Sequence, residues 1–571
     1  MKEFRIPMVG AYNTRIAAAN VLSGPASGYI GTGVIGTFII GAGTTSTEKD
    51  ARFLNCFTTT VADPMSGKKK LYLVKRPGFG TQSTPSAGQV GVSLLVWTGQ
   101  GTGGKVISAF NSTNSTIYDG TTSLGAITGK STGITETVVG TEATLTISSN
   151  DNTAWHTSSS AVTGAVTFTA DTHTNTTLDN ISSITGLVVG QLLTGTGFAA
   201  NTRIASIDSA TAATLTTATT ATNAGVTVTR TVLGKIVDAD FPGNASKTLA
   251  GTFAHMDGFA CIMDTAGNLW ASELNTTSTW VATSFGATNA YPDKGIGCIR
   301  HKNFIMAFGS ESVEFFYNAG LTPFPFAKSV AMTVKVGAVS AEAITQISDT
   351  VFWCGSTPQG GVSIFQYDGS IGRVSTPEID AALILAGVSN ISLTPLRFYG
   401  RSFIVVIAGT TTYVYCIEEK EWFQFHSQTI LWHKCTGVSM GGTMVNYAIS
   451  TTSTSGKVYL QNHAALVFTD DTFAYTARAQ LANNDHGTAR LKFYSDIELI
   501  ADIEASSSPI TLGYTDDDYQ TYTTYGDLDL STARPRATRL GSSKKRGWVL
   551  THSAATPFRI EAMEGHIEVG Q

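Results

Sequence analysis

The chain is poor in charge. Only 14% of its 571 residues are Asp, Glu, Lys or Arg, against about 25% in an average soluble domain. Few groups are left to hydrate the surface of a monomer, and an extensive subunit interface is one way to cover it. Proline is scarce too, at 15 residues, while Gly, Thr and Ser abound. That is the composition of strands and tight turns, because a disordered chain would need far more charge or proline. The net charge of −5 argues against a protein that grips nucleic acid by its phosphates, which takes clustered Lys and Arg. It leaves room for one past which a polyanion slides, since each phosphate contact would act as a brake.

Reactive motifs are missing as well. The six cysteines form no CxxC or other metal-spaced pair and sit in apolar runs, so they read as buried, reduced thiols and not as a disulfide framework. The ten histidines are scattered with no HExxH spacing. No GxGxxG or Walker sequence opens a helix, and GTGGK (residues 101–105) lacks the strand–loop–helix context of a phosphate loop and reads as a β-turn. No catalytic, cofactor-binding or metal-ligating residue is assigned. The N-terminus lacks a charged-then-apolar leader pattern. The apolar run YIGTGVIGTFIIGAG (residues 29–43) is too short and too interrupted to span a bilayer. Buried strands or a hairpin are expected there, without stable membrane insertion; a segment that rearranges to touch a membrane is the alternative.

What the chain does have is aromatic β-text. FACIMDTAGNLWASEL (259–274), NFIMAFGSESVEFFYNAG (303–320), TVFWCGSTPQGGVSIFQYDGSIGRVST (350–376) and SFIVVIAGTTTYVYCIEEKEWFQF (402–425) are runs of short strands closed by Gly, Asp and Asn turns. Their pitch of about 45–50 residues is that of propeller blades, whose sheets must stack on neighbours in a ring. Six or seven blades both fit. Trp270, Trp280, Trp353 and Trp422 fall in this text and are expected in its core.

The predicted fold class is all-β: a β-propeller with an inserted β-sandwich domain and a C-terminal antiparallel β domain. The boundaries read as an N-terminal arm and hairpin over 1–50, first blades over 51–127, a Thr-rich β-sandwich over 128–232, remaining blades over 233–485, and the C-terminal β domain over 486–571. The Thr-rich segment has short β-branched strands between Gly, Asn and Asp turns, which favours a folded sandwich over a glycosylated stalk. Blade text stops before it and resumes after it, as for an insertion into a loop.

Two clusters invite a functional reading. In GLTPFPFAK (320–328), Pro323 and Pro325 fix φ beside Phe324 and Phe326; this rigid apolar loop suits packing within the subunit or against a neighbour. Arg534, Arg536, Arg539, Lys544, Lys545 and Arg546 are the strongest basic feature, suited to an exposed face, a salt-bridged subunit contact or, as an alternative, DNA. The run Asp516, Asp517 and Asp518 reads as a solvated turn, with a Ca²⁺ site as the alternative; alternation along a strand prevents all three carboxylates from pointing one way.

Three stretches resemble the packaged-DNA stabilisation, or tail-hub and nozzle, proteins of short-tailed bacteriophages. They are FLNCF…GKKKLYLVKRPGF (53–79), the ordered motifs from MDGFACIMD to STPEIDAAL (256–383), and YTDDDYQTY (514–522), where Asp518, Tyr519 and Tyr522 depart from the family's Gly-Gly and Trp. The resemblance implies a virion tail protein assembled in the host cytoplasm. It further implies a homo-hexameric ring beneath the portal and tail adaptor, with tail fibres or tailspikes beside it and double-stranded DNA on its axis, free of sequence-specific contacts. None of the quoted motifs is catalytic in the family. Pro323, Phe324, Pro325, Phe326, Arg534, Arg536, Lys544, Lys545 and Arg546 are the candidate subunit contacts. The competing readings are a propeller glycosidase or sialidase, which needs two suitably spaced carboxylates or a Tyr/Glu pair with arginines, and a non-catalytic glycan-binding adhesin of the tail.

Overall fold

A computed structural model describes residues 2–7, 52–62, 69–100, 104–139, 142–291, 293–356, 361–427, 432–440, 443–486, 488–517 and 519–570. The apolar run 29–43 and Asp518 lie outside them. Alternating apolar and polar residues between tight turns give antiparallel hairpins throughout, and these build seven four-stranded blades among the described residues. Blade 1 starts with Gly91–Trp97, blade 2 with Ser131–Val139, blade 3 with Leu249–Met256, blade 4 with Gly295–His301, blade 5 with Ile344–Ile347, blade 6 with Ile391–Phe398 and blade 7 with Lys434–Met440.

These seven innermost strands surround a bore. Strand Ser131–Val139 touches the first strands of blades 1 and 3, and strand Lys434–Met440 touches those of blades 6 and 1. The ring is closed by a strand from before blade 1. Gly80–Ser83 pairs with Val458–Asn462 as the fourth strand of blade 7, so the first and last blades share a stretch of chain. Aromatic residues fill the wedges between blades. Phe308 meets Trp353 edge-on at 5.6 Å across blades 4 and 5, and Trp270, Trp280, Trp353 and Trp422 are all buried. All six cysteines are free and buried.

The Thr-rich segment divides in two. Ser131–Val139, Glu142–Ser149 and Ala154–Ser158 form blade 2, completed where Trp155 and His156 pair with Lys235 and Gly234 at the end of strand Thr222–Lys235. Residues 159–229 form a module with its own core of Phe168, Leu178, Leu193, Ile204, Leu215 and Val228, continuous with blade 2 through strand Thr222–Lys235, on which Gln191–Thr194 also pairs. The insertion is thus narrower than the composition shift, because the Thr-rich hairpins on its N-terminal side pack into the ring, where Ile134, Leu145, Ile147 and Trp155 join the core of blade 1.

The C-terminal strands do not stand alone either. Lys492–Ala501 and Arg559–Val569 pair with each other and, through Arg559–Val569, with Lys2–Pro7 and Lys69–Lys75. Arg52–Leu54 pairs with Ala477–Gln480. The two sheets pack face to face over Phe57, Leu73, Ile497, Leu512, Trp548 and Met563. Both ends of the chain therefore build one sandwich, and its second sheet runs on into blade 6 where Leu54 pairs in parallel with Gln424.

Strand direction alternates within a blade, so the turns joining its first to second and third to fourth strands share one face of the ring. We call this the upper face; the innermost strands begin at the lower face. The module of residues 159–229 lies between the third and fourth strands of blade 2, and the chain passes to and from the sandwich at the same position of blade 7. Both additions leave the propeller from its upper face.

Candidate functional surfaces: the junction and the bore

Two crossings, residues 75–80 and 462–477, carry the chain between sandwich and propeller. The first is KRPG. Arg76 is 1% exposed. Its guanidinium donates to Asp470 at 3.1 and 2.5 Å, to Asn55 Oδ1 at 2.9 Å and to the His426 carbonyl at 3.0 Å. It lies 3.9 Å from the ring centroid of Tyr475 and 4.6 Å from that of Trp432. Burial opposes its charge, but the attraction of Asp470 prevails and raises its pKa. Asn55, at φ 56°, ties the other side: its Nδ2 donates to the Thr476 carbonyl at 2.8 Å and its Oδ1 accepts from the His426 amide at 2.7 Å. Gly78 is required by close approach, since a Cβ there would lie 2.0 Å from the Thr469 carbonyl oxygen. The groups of this node come from four stretches of the chain, around residues 55, 76–78, 426–432 and 469–476, so the node ties the two bodies together at several points.

Lys75 points into the sandwich and is fully buried. Its Nζ donates to the Ala554 carbonyl at 2.6 Å and lies 3.2 Å from His552 Nδ1. Burial first, then repulsion from Arg76, lowers its pKa to about 8; burial and Lys75 push His552 down to about 3, so the imidazole is the neutral acceptor. A second seam joins strand Cys56–Ala62 to the turn of blade 6. Thr58 donates to Glu421 at 2.7 Å, Thr60 donates its amide and hydroxyl to Glu419 at 3.0 and 2.8 Å, and Arg401 donates to the Thr60 carbonyl at 2.6 Å. Desolvation, with Glu419 nearby, raises the Glu421 carboxyl to about 7.

A cavity of about 650 Å³ lies along the innermost strands of blades 2 to 5, and its lining includes Glu136, His255, Asp257, Arg300 and Gln346. Its acids are engaged: Glu136 accepts from the Gly99 amide at 2.6 Å and from Thr98 at 3.1 and 3.2 Å, and Asp257 accepts from Asn318 at 3.0 Å. Burial pushes His255 down to about 4, and its Nε2 lies 2.9 Å from the Thr146 hydroxyl. No group of three or more His, Cys, Asp or Glu residues able to hold a metal occurs among the described residues.

The residues singled out from sequence scatter. Phe326 is 3% exposed in the core of blades 3 and 4, and Pro325 is buried. Half-buried Phe324 sits edge-on to Phe316 and Phe326 at 6.2 and 5.6 Å and close over Gly286 of blade 3. Of that loop, Pro323 is exposed at the upper face, beside Leu321. In the basic cluster, Arg546 is interior: it pairs with Asp516 through two 2.7 Å bonds and lies 3.9 Å from the Tyr514 centroid. Arg536 is exposed, 3.0 Å from Asp496 and 3.8 Å from Glu498, with Arg534 also 3.8 Å from Glu498. Lys544 is exposed and Lys545 half-buried. The cations do not form one positive face. Asp517 is spent on its own turn, where Thr521, Thr515 and Gln520 hold its carboxyl at about 2.

Residues 188–445, from the inserted module to the second strand of blade 7, match the family model described as bacteriophage P22 Gp10, beta-propeller, a phage stabilisation family. No curated protein matches the chain. Among solved structures, the chain is similar to Raptor of Chaetomium thermophilum (9% identity, 67% of this chain and 28% of that one, TM-score 0.34). It is also similar to BBS1N in complex with ARL6DN (10% identity, 72% and 96%, TM-score 0.33) and to an exo-beta-1,3-galactanase of Phanerochaete chrysosporium (8% identity, 56% and 95%, TM-score 0.22). At those TM-scores the likenesses bear on neither fold nor function.

Proposed function

We propose that this chain, whose residues 188–445 belong to the propeller family of phage P22 Gp10, is a tail nozzle or hub protein of a short-tailed phage virion. Six copies close a ring that extends the DNA channel below portal and adaptor, retains the packaged genome and conducts it during ejection. The family match carries this reading. The junction supports it: a conduit must bear load, and a buried, multiply bonded node between propeller and sandwich resists bending where a flexible linker would not. The low charge supports a wall that does not grip phosphates.

In this reading the chain is structural and not an enzyme, takes no cofactor, sits in the virion tail and is assembled in the host cytoplasm. The module of residues 159–229 is where tail fibres or tailspikes attach. The candidate contact residues that remain at the surface, Pro323, Arg534, Arg536 and Lys544, belong to the subunit boundary. Electron microscopy of the purified protein, alone and mixed with its adaptor, is expected to show sixfold rings. A stable monomer that never joins the adaptor overturns the proposal, and turnover of sialosides or host polysaccharides would replace it with the glycosidase reading.

A further inference from the structure

Three charged side chains meet at the lower mouth of the bore. Lys130 immediately precedes the first strand of blade 2, Glu342 sits in the short 3₁₀ turn Ala341–Ala343 before blade 5, and Lys434 begins blade 7. Lys130 Nζ lies 3.6 Å from one carboxylate oxygen of Glu342, and Lys434 Nζ lies 3.3 Å from the other. Counted around the ring of seven, their blades are three, two and two steps apart. The side chains therefore converge from three directions and do not pair along one edge. The turn carrying Glu342 is held in place. Ala343 is fully buried, and Ala341 packs against Gly251 of blade 3, where φ is 72° and a Cβ would lie 2.9 Å from Gly297 of blade 4. The absence of side chains at Gly251 and Gly297 is what lets the turn reach the axis.

We propose that Lys130, Glu342 and Lys434 form an axial clasp that spans the bore at its lower face and links three non-adjacent blades. A propeller opens by parting two neighbouring blades. Whichever junction parts, the clasp is strained, because its arms are rooted on blades spread around the ring. The two lysines favour the ionised carboxylate, with Lys434 the stronger influence, and Glu342 is held below the usual carboxylate range. Burial pulls the Lys434 ammonium below its ordinary value, and Glu342 opposes that shift.

Zero-length carbodiimide coupling of the intact protein, followed by peptide mass spectrometry, tests the geometry. Isopeptide bonds joining Glu342 to Lys434 and to Lys130 are expected, at yields comparable to the half-buried pair Lys105–Asp119, whose charged atoms are 2.6 Å apart. Recovery of the Lys105–Asp119 link without either Glu342 link overturns the proposal. The Glu342→Lys variant places three like charges at one mouth. Its urea midpoint is expected to fall below that of the parent in low salt and to recover in 1 M salt; equal midpoints in both salts also count against the clasp. If that variant does not fold, the cross-links in the parent protein decide alone.

Discussion

The two faces of the propeller carry two ionic centres of opposite character. At the upper face Arg76 and Asp470 are sealed from water, 2% and 6% exposed at their side chains, and nearly every polar atom around them has a partner. At the lower face Lys130, Glu342 and Lys434 remain 39%, 45% and 22% exposed and are joined by longer contacts. The chemistry is the same, a carboxylate facing cations, but the dielectric is not. A buried pair is costly to break because the survivor has nowhere to go, whereas a wetted pair is screened and rearranges. The junction is therefore where a single substitution does most damage, and the bore mouth is where position matters more than energy.

Arg76→Met breaks this contrast at its strongest point. It takes the guanidinium from Asp470, whose buried carboxyl keeps only the Phe79 amide as a donor, at 3.3 Å, among the described residues, and is expected to cost about 3–5 kcal/mol, read from urea denaturation. The double change Arg76→Met with Asp470→Leu removes the stranded charge and is expected to recover much of that loss. A double variant as unstable as the single one would show that the node acts through shape and not charge.

An intermediate effect comes from the seam beside it. Glu421 has a folded pKa of about 7 against an ordinary 4.5, so between those values the folded chain binds more protons than the unfolded one. Stability from this group then falls as pH rises from 4.5 through 7. Glu421→Gln keeps an oxygen for the Thr58 hydroxyl and removes the titration. Its melting temperature relative to the parent is expected to rise between pH 5 and pH 8. A gap that does not change with pH would mean that Glu421 is ionised at the seam.

The same contrast explains what was legible in the sequence. Blade text was readable because each hairpin is local: aromatic and β-branched residues alternate, and Gly, Asp or Asn closes the turn. The blade number was not, because blade 7 borrows Gly80–Ser83 and blade 2 is split by residues 159–229. Strand pairing across hundreds of residues leaves no periodic trace. The sandwich was half visible for that reason, its C-terminal strands recognised but Lys69–Lys75, which pairs with Arg559–Val569, and the pair Arg52–Leu54 with Ala477–Gln480 read as propeller. KRPG stood out as a motif, yet nothing local says that its arginine is interior. Arg546 misled in the same way: beside Lys544 and Lys545 it looks like part of a basic surface, whereas strand alternation turns it inward onto Asp516 and Tyr514. The clasp left no signal at all, since one lysine, one glutamate and another lysine far apart in the chain resemble any others.

The smallest effect is expected at the bore mouth. Glu342→Gln removes the shared anion, leaving Lys130 in contact with water and Lys434 largely buried, so the loss is expected to fall below that at the junction and to shrink in 1 M salt only in the part that Lys130 contributes. The cross-links to Lys130 and Lys434 disappear with the carboxylate, while the fold and the upper-face node stay as they are. A loss as large as that of Arg76→Met would mean that the mouth is dry, and the distinction between a sealed junction and a wetted clasp would collapse.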